Sequence, residues 1–324
     1  METFFDAIGA RAEGAGYACE VLPKGKIVNN VHYADKGPKA AEPAPYGEPR
    51  RPAQVKSLHF DIDEGWSHRD ERVTGELPIT ILVNGREFAT MVCSPWDVED
   101  VVVGFLASEG VLANRSSLLR LDVNLEDGVA LVEVEDAGNL PAEGAYPKRR
   151  INSSTGRGRM SFYFETDARP PSPVTSDVRI TPEWALDLME GVMQGSRVFA
   201  RTGGVHAGIL ATDSEVLQFH DDVGRNNVLD RIFGRCIMEG IDLSDKVIAF
   251  SGRVSSEIVL KVAKMGVPIL VSHAAPTELG LQNARQLGIT VIAFTRHGRR
   301  FNLYTYPERI IGAVEAQAEE PSAD

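Results

Sequence analysis

Arginines, hydroxyl groups and glycines are concentrated in three short segments of the carboxy-terminal half of this chain. The segments are Ser251-Gly252-Arg253, Ser272-His273-Ala274-Ala275-Pro276-Thr277 and Thr295-Arg296-His297-Gly298-Arg299-Arg300. The guanidinium group of arginine matches phosphate oxygens, and the free N–H groups at the start of a helix also bind anions. The three segments predict a phosphate or nucleotide site. The alternative is that each arginine is an ordinary solvated loop residue.

A further polar cluster, His220-Asp221-Asp222-Val223-Gly224-Arg225-Asn226-Asn227, lies between a predicted strand and a predicted helix. Asp222 could bind a guanine edge or a hydroxyl group, and Arg225 could bind a phosphate. The alternative for Asp222 is a helix cap with a structural salt bridge, because aspartate is a preferred capping residue. His206 lies on a predicted strand, where a lone histidine is more often hydrogen-bonded structure than a catalyst.

The segment from Gly144 to Met160 is strongly basic and contains no acidic residue. Its positive side chains are Lys148, Arg149, Arg150, Arg157 and Arg159. The whole chain has a formal net charge of -12, so this local excess predicts docking of an acidic ligand or partner, and a solvated basic loop is the alternative. The same overall charge argues against a general binder of nucleic acid or of membrane surfaces.

The elements that would position the arginine-bearing segments alternate between strand and helix. The order is strand KVIAF, helix SSEIVLKVAKM before Gly266, strand VPILVS, helix TELGLQNARQL before Gly288, and strand TVIAF. This order predicts a parallel sheet with right-handed crossovers. Ligands bind where the carboxyl ends of such strands meet, so we expect the three segments to share one edge.

Two further hairpins and three helices precede this region, and the third helix, after the polar cluster, has the apolar stripe Val228, Leu229, Ile232, Phe233, Cys236 and Ile237. The run ELPITILVNGREFATMVC predicts two strands joined by the turn Asn84-Gly85, and GVHAGIL with EVLQF predicts another pair. Ser94 is the predicted cap of the helix after the first hairpin and Gly110 its end. Thr181 is the predicted start of a helix that opens a second domain, and VALVEVED predicts a strand in the first.

These patterns divide the 324 residues into four parts. We predict a flexible extension over residues 1–54, an α+β domain over 55–180 that ends in the basic segment, a second domain over 181–312, and an acidic tail over 313–324. Cys19, Cys93 and Cys236 are too few and too scattered for a disulfide framework or a zinc site. Without an apolar run long enough for a membrane helix, we expect a soluble, cytoplasmic protein.

Several motifs resemble, in this order, the signature segments of the FdhD/NarQ family: TGGVHAGIL, DDVGRNNVLDR, SGRVSSEIV, APTEL and FTRHGRRFNLYTYPERI. ELPITILVNGREFATMVCSPWDVEDVVVGFLASEGVL resembles its amino-terminal domain, and the likeness extends from Ser57 to Ile311. The resemblance implies an α/β protein with a cytidine-deaminase-like, three-layer carboxy-terminal domain and a smaller α+β amino-terminal domain. It also implies a homodimer.

The family is understood to pass sulfur from a cysteine desulfurase to bis(molybdopterin guanine dinucleotide) before the formate dehydrogenase apoenzyme receives it. By resemblance, its cofactor contacts correspond to Phe294, Thr295, Arg296, His297, Gly298 and Arg299. The full predicted binding set adds His206, Asp222, Arg225, Ser251, Gly252, Arg253 and Thr277. We predict no zinc, because a zinc deaminase needs a Cys-x-x-Cys pair that the chain lacks.

The sequence departs from the family where the sulfur chemistry should occur. Family members carry a Cys-Gly-x-Cys-Gly loop whose first cysteine holds the persulfide, and Thr155 and Gly158 occupy the two cysteine positions here. A hydroxyl group cannot form a persulfide, since sulfur relay requires a thiolate, so no catalytic residue is retained. Smaller departures are Asp221 in place of glutamate and Asn226 in place of histidine.

Three hypotheses follow. The leading one is an FdhD-like protein that binds the pterin guanine dinucleotide and supports formate dehydrogenase maturation, with a non-catalytic chaperone as its variant. A second keeps sulfurtransferase activity through Cys19 or Cys93. The third is an adaptor that uses the basic segment from Gly144 to Met160 to dock a dehydrogenase or a desulfurase.

Overall fold

The structure is a computed structural model that describes residues 53–135, 171–296 and 299–318, together with the backbone of three short strands. Those strands are β1 (Ala18–Leu22), β2 (Lys26–Asn30) and β9 (Arg150–Ile151). The remaining strands are β3 (Ala53–Asp61), β4 (Gly65–Val73), β5 (Leu77–Val83), β6 (Arg86–Cys93), β7 (Leu118–Asn124), β8 (Val129–Val134), β10 (His206–Ala211), β11 (Val216–Asp222), β12 (Val247–Phe250), β13 (Ile269–Ser272), β14 (Thr290–Arg296) and β15 (Arg300–Leu303).

The described α-helices are α1 (Val98–Ser108), α2 (Pro182–Gly195), α3 (Arg197–Thr202), α4 (Arg225–Glu239), α5 (Ser256–Met265), α6 (Glu278–Leu287) and α7 (Ala313–Ala318). Two short 3-10 helices cover Arg115–Ser117 and Pro307–Arg309. Within the described ranges, no helix is long and apolar enough to cross a membrane.

The first domain is a mixed sheet covered by α1. Its strand order is β7-β8-β5-β6-β9, and the β5–β6 hairpin confirms the turn predicted at Asn84-Gly85. Both turn residues have positive φ, 48° and 78°, which Asn and Gly tolerate best. The apolar face of the sheet packs against α1 through Ile79, Ile81, Phe105 and others of one continuous core.

The second domain has three layers around a six-stranded sheet of order β11-β10-β12-β13-β14-β15. β12, β13 and β14 are parallel, as the alternation of strands and helices predicted. α2 packs on one face of the sheet with Leu188 and Val192. α4, α5 and α6 cover the other face, where Ile232, Ile258 and Ala284 belong to one core.

The two domains meet where α1 crosses α4 at a pair of glycines. A Cβ atom on Gly104 would overlap the carbonyl oxygen of Asp230, and one on Gly234 would overlap the carbonyl oxygen of Asp100. The two helix backbones are therefore in direct contact. Beside the crossing, Asp230 forms a fully buried ion pair with Lys261 of α5 and accepts a hydrogen bond of 2.9 Å from the Ser108 hydroxyl of α1.

The prediction that Ser94 caps α1 is wrong. The helix starts later, at Val98, and its N-cap residue Asp97 makes no side-chain capping bond. Ser94 is instead committed to the second domain: its N–H donates to Asp222 Oδ2 (3.0 Å) and its hydroxyl accepts from the N–H of Val223 (3.0 Å). These contacts with the second domain use the Ser94 groups that a local helix cap would need. Gly110, with φ 74°, follows the helix end as predicted.

Thr181 caps α2 as predicted, accepting from the N–H of Trp184 (3.1 Å). Residues just before it contact the part of the chain that follows: Val174 N–H donates to Leu287 O (2.8 Å), and Ile180 N–H donates to Arg309 O (3.0 Å).

Regular structure also reaches into both predicted terminal segments. β1 and β2 pair within the segment 1–54, which composition predicted to be a flexible extension. At the other end, α7 (Ala313–Ala318) lies within the segment 313–324 that we predicted to be an acidic tail. The other residues of these two segments, apart from the start of β3, lie outside the described ranges.

Asp100, on α1 at the glycine crossing, predicts an unusual pH dependence of stability. Burial raises the pKa of its carboxyl group to about 7, although Arg235 opposes the shift. Because the folded state holds the proton more tightly than the unfolded state, the stabilisation is full below the unfolded pKa near 3.8 and is lost as pH rises through 7. The natural chain should therefore lose stability between pH 5 and pH 8, whereas Asp100→Asn should not. We expect the free energy of unfolding of Asp100→Asn, relative to that of the natural chain, to rise by about 2 kcal/mol over this range.

Urea unfolding of both proteins at the two pH values measures this difference. Asp213→Asn, in the exposed turn between β10 and β11, is the matched control and should follow the natural chain at both pH values. A difference between Asp100→Asn and the natural chain that does not change with pH would contradict the buried, protonated carboxyl group.

Candidate functional site

The loops that follow β12 and β13 lie beside the end of β14 at one edge of the second sheet. Thr277 N–H donates to Val254 O (2.9 Å), and Phe294 N–H donates to Ala274 O (3.2 Å). The Ser272 hydroxyl donates to Gly252 O (2.7 Å). These bonds join the two loops and the end of β14 into one continuous surface.

Two helices begin at this edge without a side-chain cap. They are α4, whose N-cap residue is Gly224, and α5, whose N-cap residue is Ser255. The Ser255 hydroxyl has no hydrogen-bond partner in the part of the chain that the structure describes. No side chain of the described residues caps α4 or α5, and the helix dipole favours an anion at such ends.

Arg225 opens α4 and lies against the β12 loop. Gly252 allows this approach, because a Cβ atom there would be 3.1 Å from the Cβ of Arg225 and 2.7 Å from the Phe250 ring. Two buried polar atoms here, Arg225 Nε and Asn226 Oδ1, have no partner among the described residues. A bound ligand or solvent can satisfy such atoms.

A cavity of about 390 Å³ lies at the same edge, on the side of the sheet that α2 covers. Its walls are mainly apolar, and they come from α2, α3, the start of β10 and the loops after β11, β12 and β13. The lining residues are Val192, Met193, Phe199, Gly203, Gly204, Val205, His206, Ala207, Val223, Ser251 and His273. An apolar cavity of this size with few polar groups is typical of small-molecule sites.

His206 and Ser251 are the polar pair of this cavity. His206 Nδ1 lies 3.2 Å from Ser251 Oγ, which also accepts a hydrogen bond from the N–H of Ala207 (3.1 Å). Burial lowers the pKa of His206 below its usual value, and the positive charge of Arg225 lowers it further, while Asp222 opposes the shift. The lowered pKa favours the uncharged form of the ring, and the serine holds its orientation.

Asp222 does not lie on the ligand edge. It is fully buried, and its carboxylate accepts hydrogen bonds from the N–H groups of Ser94 (3.0 Å) and Gly224 (2.8 Å) and from Asn227 Nδ2 (2.8 Å). Arg231, also fully buried, donates to Asp222 Oδ2 through Nε (2.9 Å) and Nη2 (2.6 Å). Of the two interpretations of Asp222, the structure matches the salt bridge, because the carboxylate has no surface left for a ligand.

The segment 294–299 is only partly described. Phe294 has φ 55°, and the hydroxyl group of Thr295, which is almost fully buried, has no partner among the described residues. Arg296 ends β14, and His297 and Gly298 lie outside the described residues. Arg299 is directed to α2, where it pairs with Asp187 (2.9 Å) and Glu190 (3.5 Å), so its charge is already matched within the chain.

Of the remaining predicted residues, Arg253 is available to a ligand and the side chain of Thr277 is not. Arg253 is exposed beside the start of α5, where it can meet an anion. The hydroxyl group of Thr277 is occupied, since it caps α6 by accepting from the N–H of Gly280 (3.1 Å). The edge therefore combines His206 and Ser251, which line the cavity, with Gly252, Arg225 and Arg253 near the starts of α4 and α5.

The predicted binding set does not include the apolar walls of the cavity or His273. His273 does lie in the segment Ser272–Thr277 that the sequence singled out, because it follows β13 as Ser251 follows β12. Val192, Met193 and Phe199 carry no comparable signal, because their helices precede the sheet in the chain. Within the described ranges, no group of three or more His, Cys, Asp or Glu side chains could hold a metal ion.

The two described cysteines are poor nucleophiles. Cys93 and Cys236 are both buried and free, and burial raises the pKa of each thiol to about 12. Cys19 lies on β1, of which only the backbone is described, and Thr155 lies outside the described residues with most of the basic segment from Gly144 to Met160.

Comparisons with known proteins agree with the motifs. The FdhD/NarQ family model matches residues 74–311. The sulfur carrier protein FdhD of Halalkalibacterium halodurans is 45% identical over 251 residues, 77% of this chain and 92% of that protein. The sulfur carrier protein FdhD of Bacillus subtilis is 44% identical over 241 residues, 74% of this chain and 91% of that protein.

A crystal structure from Desulfotalea psychrophila, of a protein provisionally assigned as a formate dehydrogenase accessory protein, has a similar fold. Its TM-score is 0.65 at 24% identity, and the match covers 81% of this chain and all of that one. With the family model and the relatives, which match most of its length, the chain belongs to the FdhD/NarQ family.

Proposed function

We propose that this protein is an FdhD-like accessory protein for formate dehydrogenase maturation that binds bis(molybdopterin guanine dinucleotide) as its cargo. One observation carries the proposal. Two uncapped helix starts, α4 and α5, surround the buried, unpartnered polar atoms of Arg225, Asn226 and Ser255, beside a mainly apolar cavity of about 390 Å³. The helix starts suit a diphosphate, and the cavity suits a planar ring.

Each part of the site has a distinct task in this proposal. Arg225 and Arg253 neutralise the phosphates, and Gly252 lets the ligand and the Arg225 side chain approach the β12 loop closely. His206, oriented by Ser251, provides an uncharged polar group in the cavity. Thr295, whose buried hydroxyl group lacks a partner among the described residues, is a further candidate to bind the cargo. Asp222 is excluded from direct contact by its burial.

Guanosine diphosphate tests the proposal, because it carries both the guanine and the diphosphate. We expect the full-length protein to bind it in isothermal titration calorimetry, and Arg225→Gln to bind about 10- to 100-fold more weakly, since hydrogen bonds to charged groups contribute roughly 1.5–3 kcal/mol. The matched control is Arg285→Gln, an exposed arginine in the last turn of α6, which should bind as the natural chain does.

The natural chain failing to bind guanosine diphosphate would reject the proposal. An equal loss of affinity in Arg225→Gln and Arg285→Gln would reject the assigned place of the phosphates. Guanosine without phosphates measures what the cavity contributes by itself, and it should bind more weakly than the diphosphate.

Sulfur transfer is the less favoured part of the proposed function. Thr155 replaces the persulfide cysteine of the family, and the raised thiol pKa values of Cys93 and Cys236 leave almost no thiolate at neutral pH. These observations favour a non-catalytic chaperone that carries the cofactor. The competing hypothesis keeps sulfurtransferase activity through Cys19 or Cys93.

Intact-mass spectrometry distinguishes the two functions. After incubation with a cysteine desulfurase and cysteine, we expect no persulfide on Cys93 or Cys236, and a thiol reagent should label both only after unfolding. A persulfide that disappears in Cys93→Ser would overturn this expectation. One that disappears in Cys19→Ser would assign the transfer to the amino-terminal segment instead.

The proposed partners, location and assembly are those that the family resemblance implies. A cysteine desulfurase and the formate dehydrogenase apoenzyme are the proposed partners, the cytoplasm is the proposed location, and a homodimer is the proposed assembly. We also propose that the second domain is cytidine-deaminase-like. The strand order β11-β10-β12-β13-β14, with β10 antiparallel to both of its neighbours, supports that part.

A further inference from the structure

Strands β3 and β4 form a ribbon that stands apart from both domain sheets. Their nine-residue strands pair from Ala53 opposite Val73 to Asp61 opposite Gly65. In the described part of the chain, neither strand pairs with any other. The FdhD/NarQ family model starts at residue 74, just after β4.

One face of this ribbon is apolar and exposed. Side chains alternate along a strand, and the register puts Phe60 opposite Trp66 and Leu58 opposite His68 on the same face. The rings of Phe60 and Trp66 are in contact, with centroids 5.1 Å apart. The exposed fraction is 63% for Leu58, 52% for Phe60 and 71% for Trp66, and Ile62 at the turn reaches 85%.

A ribbon of this kind is not stable in isolation. An isolated two-stranded hairpin is marginal in water, and almost every side chain of β4 is exposed. Four large apolar side chains, each exposing on the order of 100–150 Å², give a patch of roughly 500 Å². The turn is nevertheless well formed, because Asp61 Oδ1 accepts from the N–H groups of Asp63 (2.8 Å) and Glu64 (3.2 Å). An exposed apolar patch of this size is typical of an interaction surface.

We propose that the β3–β4 ribbon is a dimerisation arm, whose face of Leu58, Phe60 and Trp66 packs against the same face of a second copy of this chain. The inference deepens the homodimer put forward in the proposed function by assigning its surface. Two such patches would bury about 1,000 Å², the lower limit of a specific interface. A copy of the same chain is the occupant that is always present.

The charges on this face also suit a second copy. Lys56 lies opposite Asp70 in the register, and Gln54 lies opposite Arg72, so positive and negative groups flank the apolar centre together. A twofold axis through that centre lets the lysine of one copy meet the aspartate of the other. An acidic or a basic partner would instead require charges of one sign.

Sedimentation velocity of the full-length protein tests the arm. We expect the natural chain to be a dimer of 35.3 kDa subunits at micromolar concentration. In Phe60→Ser/Trp66→Ser the dimer dissociation constant should rise at least 100-fold, as expected when aromatic centres of an interface are removed. The matched control, Val55→Ser/Arg69→Ser, changes the opposite face of the same ribbon and should remain dimeric.

Two results would overturn the dimerisation arm, and only one of them would also reject the homodimer. If the natural chain is a monomer, the arm and the homodimer both fail. If Phe60→Ser/Trp66→Ser stays as dimeric as the control, the homodimer stands but uses another surface. Guanosine diphosphate titrations of the same samples report separately on the cofactor site.

A photo-crosslinking residue in place of Phe60 identifies the occupant directly. We expect crosslinked dimers, with the crosslink mapped by mass spectrometry to residues 55–66 of the second copy. A crosslink to another segment of the same chain would show that the chain covers its own ribbon, and would overturn the proposal.

Discussion

Asp222→Ala is expected to lower the free energy of unfolding by about 3–5 kcal/mol, the cost of removing one partner from a buried ion pair. The substitution leaves the Arg231 guanidinium in the interior without its counter-charge, and both side chains are fully buried in the folded protein. It also leaves the buried N–H groups of Ser94 and Gly224 without their acceptor. Urea unfolding followed by far-UV circular dichroism measures the loss.

Arg231 also connects the two domains through hydrogen bonds. Besides Asp222, it donates to the carbonyl oxygens of Ser94 (2.9 Å), Asp97 (2.8 Å) and Trp96, all in the connection between β6 and α1. The Trp96 indole N–H in turn donates to Asp221 O (3.2 Å). One buried guanidinium therefore holds the first domain against the start of α4, which carries Arg225.

A charge-balanced variant is the control for this prediction. Replacing both partners, as in Asp222→Leu/Arg231→Met, removes the unpaired charge, so it should cost less than the sum of Asp222→Ala and Arg231→Ala. A cost below 1 kcal/mol for Asp222→Ala alone would contradict the assignment. Guanosine diphosphate affinity should fall in Asp222→Ala even under conditions where the protein remains folded, because the start of α4 loses its anchor.

Gly234→Ala should lower the free energy of unfolding by about 3 kcal/mol or more, because overpacking a tightly packed core costs 1–3 kcal/mol and here the obstacle is backbone. The new methyl group would overlap the carbonyl oxygen of Asp100 on α1, and a backbone atom cannot rotate away. The helices must separate, so the buried pair of Asp230 and Lys261 at the crossing is strained as well. Gly104→Ala should behave similarly from the other helix.

The sign of the effect distinguishes this contact from ordinary helix propensity. Alanine in place of glycine inside a helix normally stabilises by about 1 kcal/mol, so a gain in stability for Gly234→Ala would contradict a direct helix contact. Gln286→Ala, on the exposed side of α6, is a control that should change stability by less than about 0.5 kcal/mol. Thermal unfolding of the three proteins under one condition provides the comparison.

Local patterns predicted most of the second domain. The helices α5 and α6 end before Gly266 and Gly288 as expected, with φ of 80° and 71° at those glycines. The predicted hairpin appears as β10 and β11. These elements were predictable because caps, turn residues and the period of apolar side chains act within a few residues of one another.

The first domain was predicted less completely. The β5–β6 hairpin and β8 follow their patterns, but β7 and the β3–β4 ribbon carry no pattern that identified them as strands. β3 and β4 have few buried side chains in the described structure, so the alternation of apolar and polar residues that reveals a strand is weak. β1 and β2 fall where composition predicted no regular structure.

The sequence by itself determined the family, the order of strands and helices in the second domain, and the edge at which its polar loops meet. It could do so because parallel strands joined by helices bring their carboxyl ends together. Only the tertiary structure decided which polar groups remain available there. Asp222 is bound by Ser94, 128 positions away, and Arg299 is bound by Asp187, 112 positions away. Pairing over such distances depends on how the layers pack, and no local pattern in the sequence carries that information.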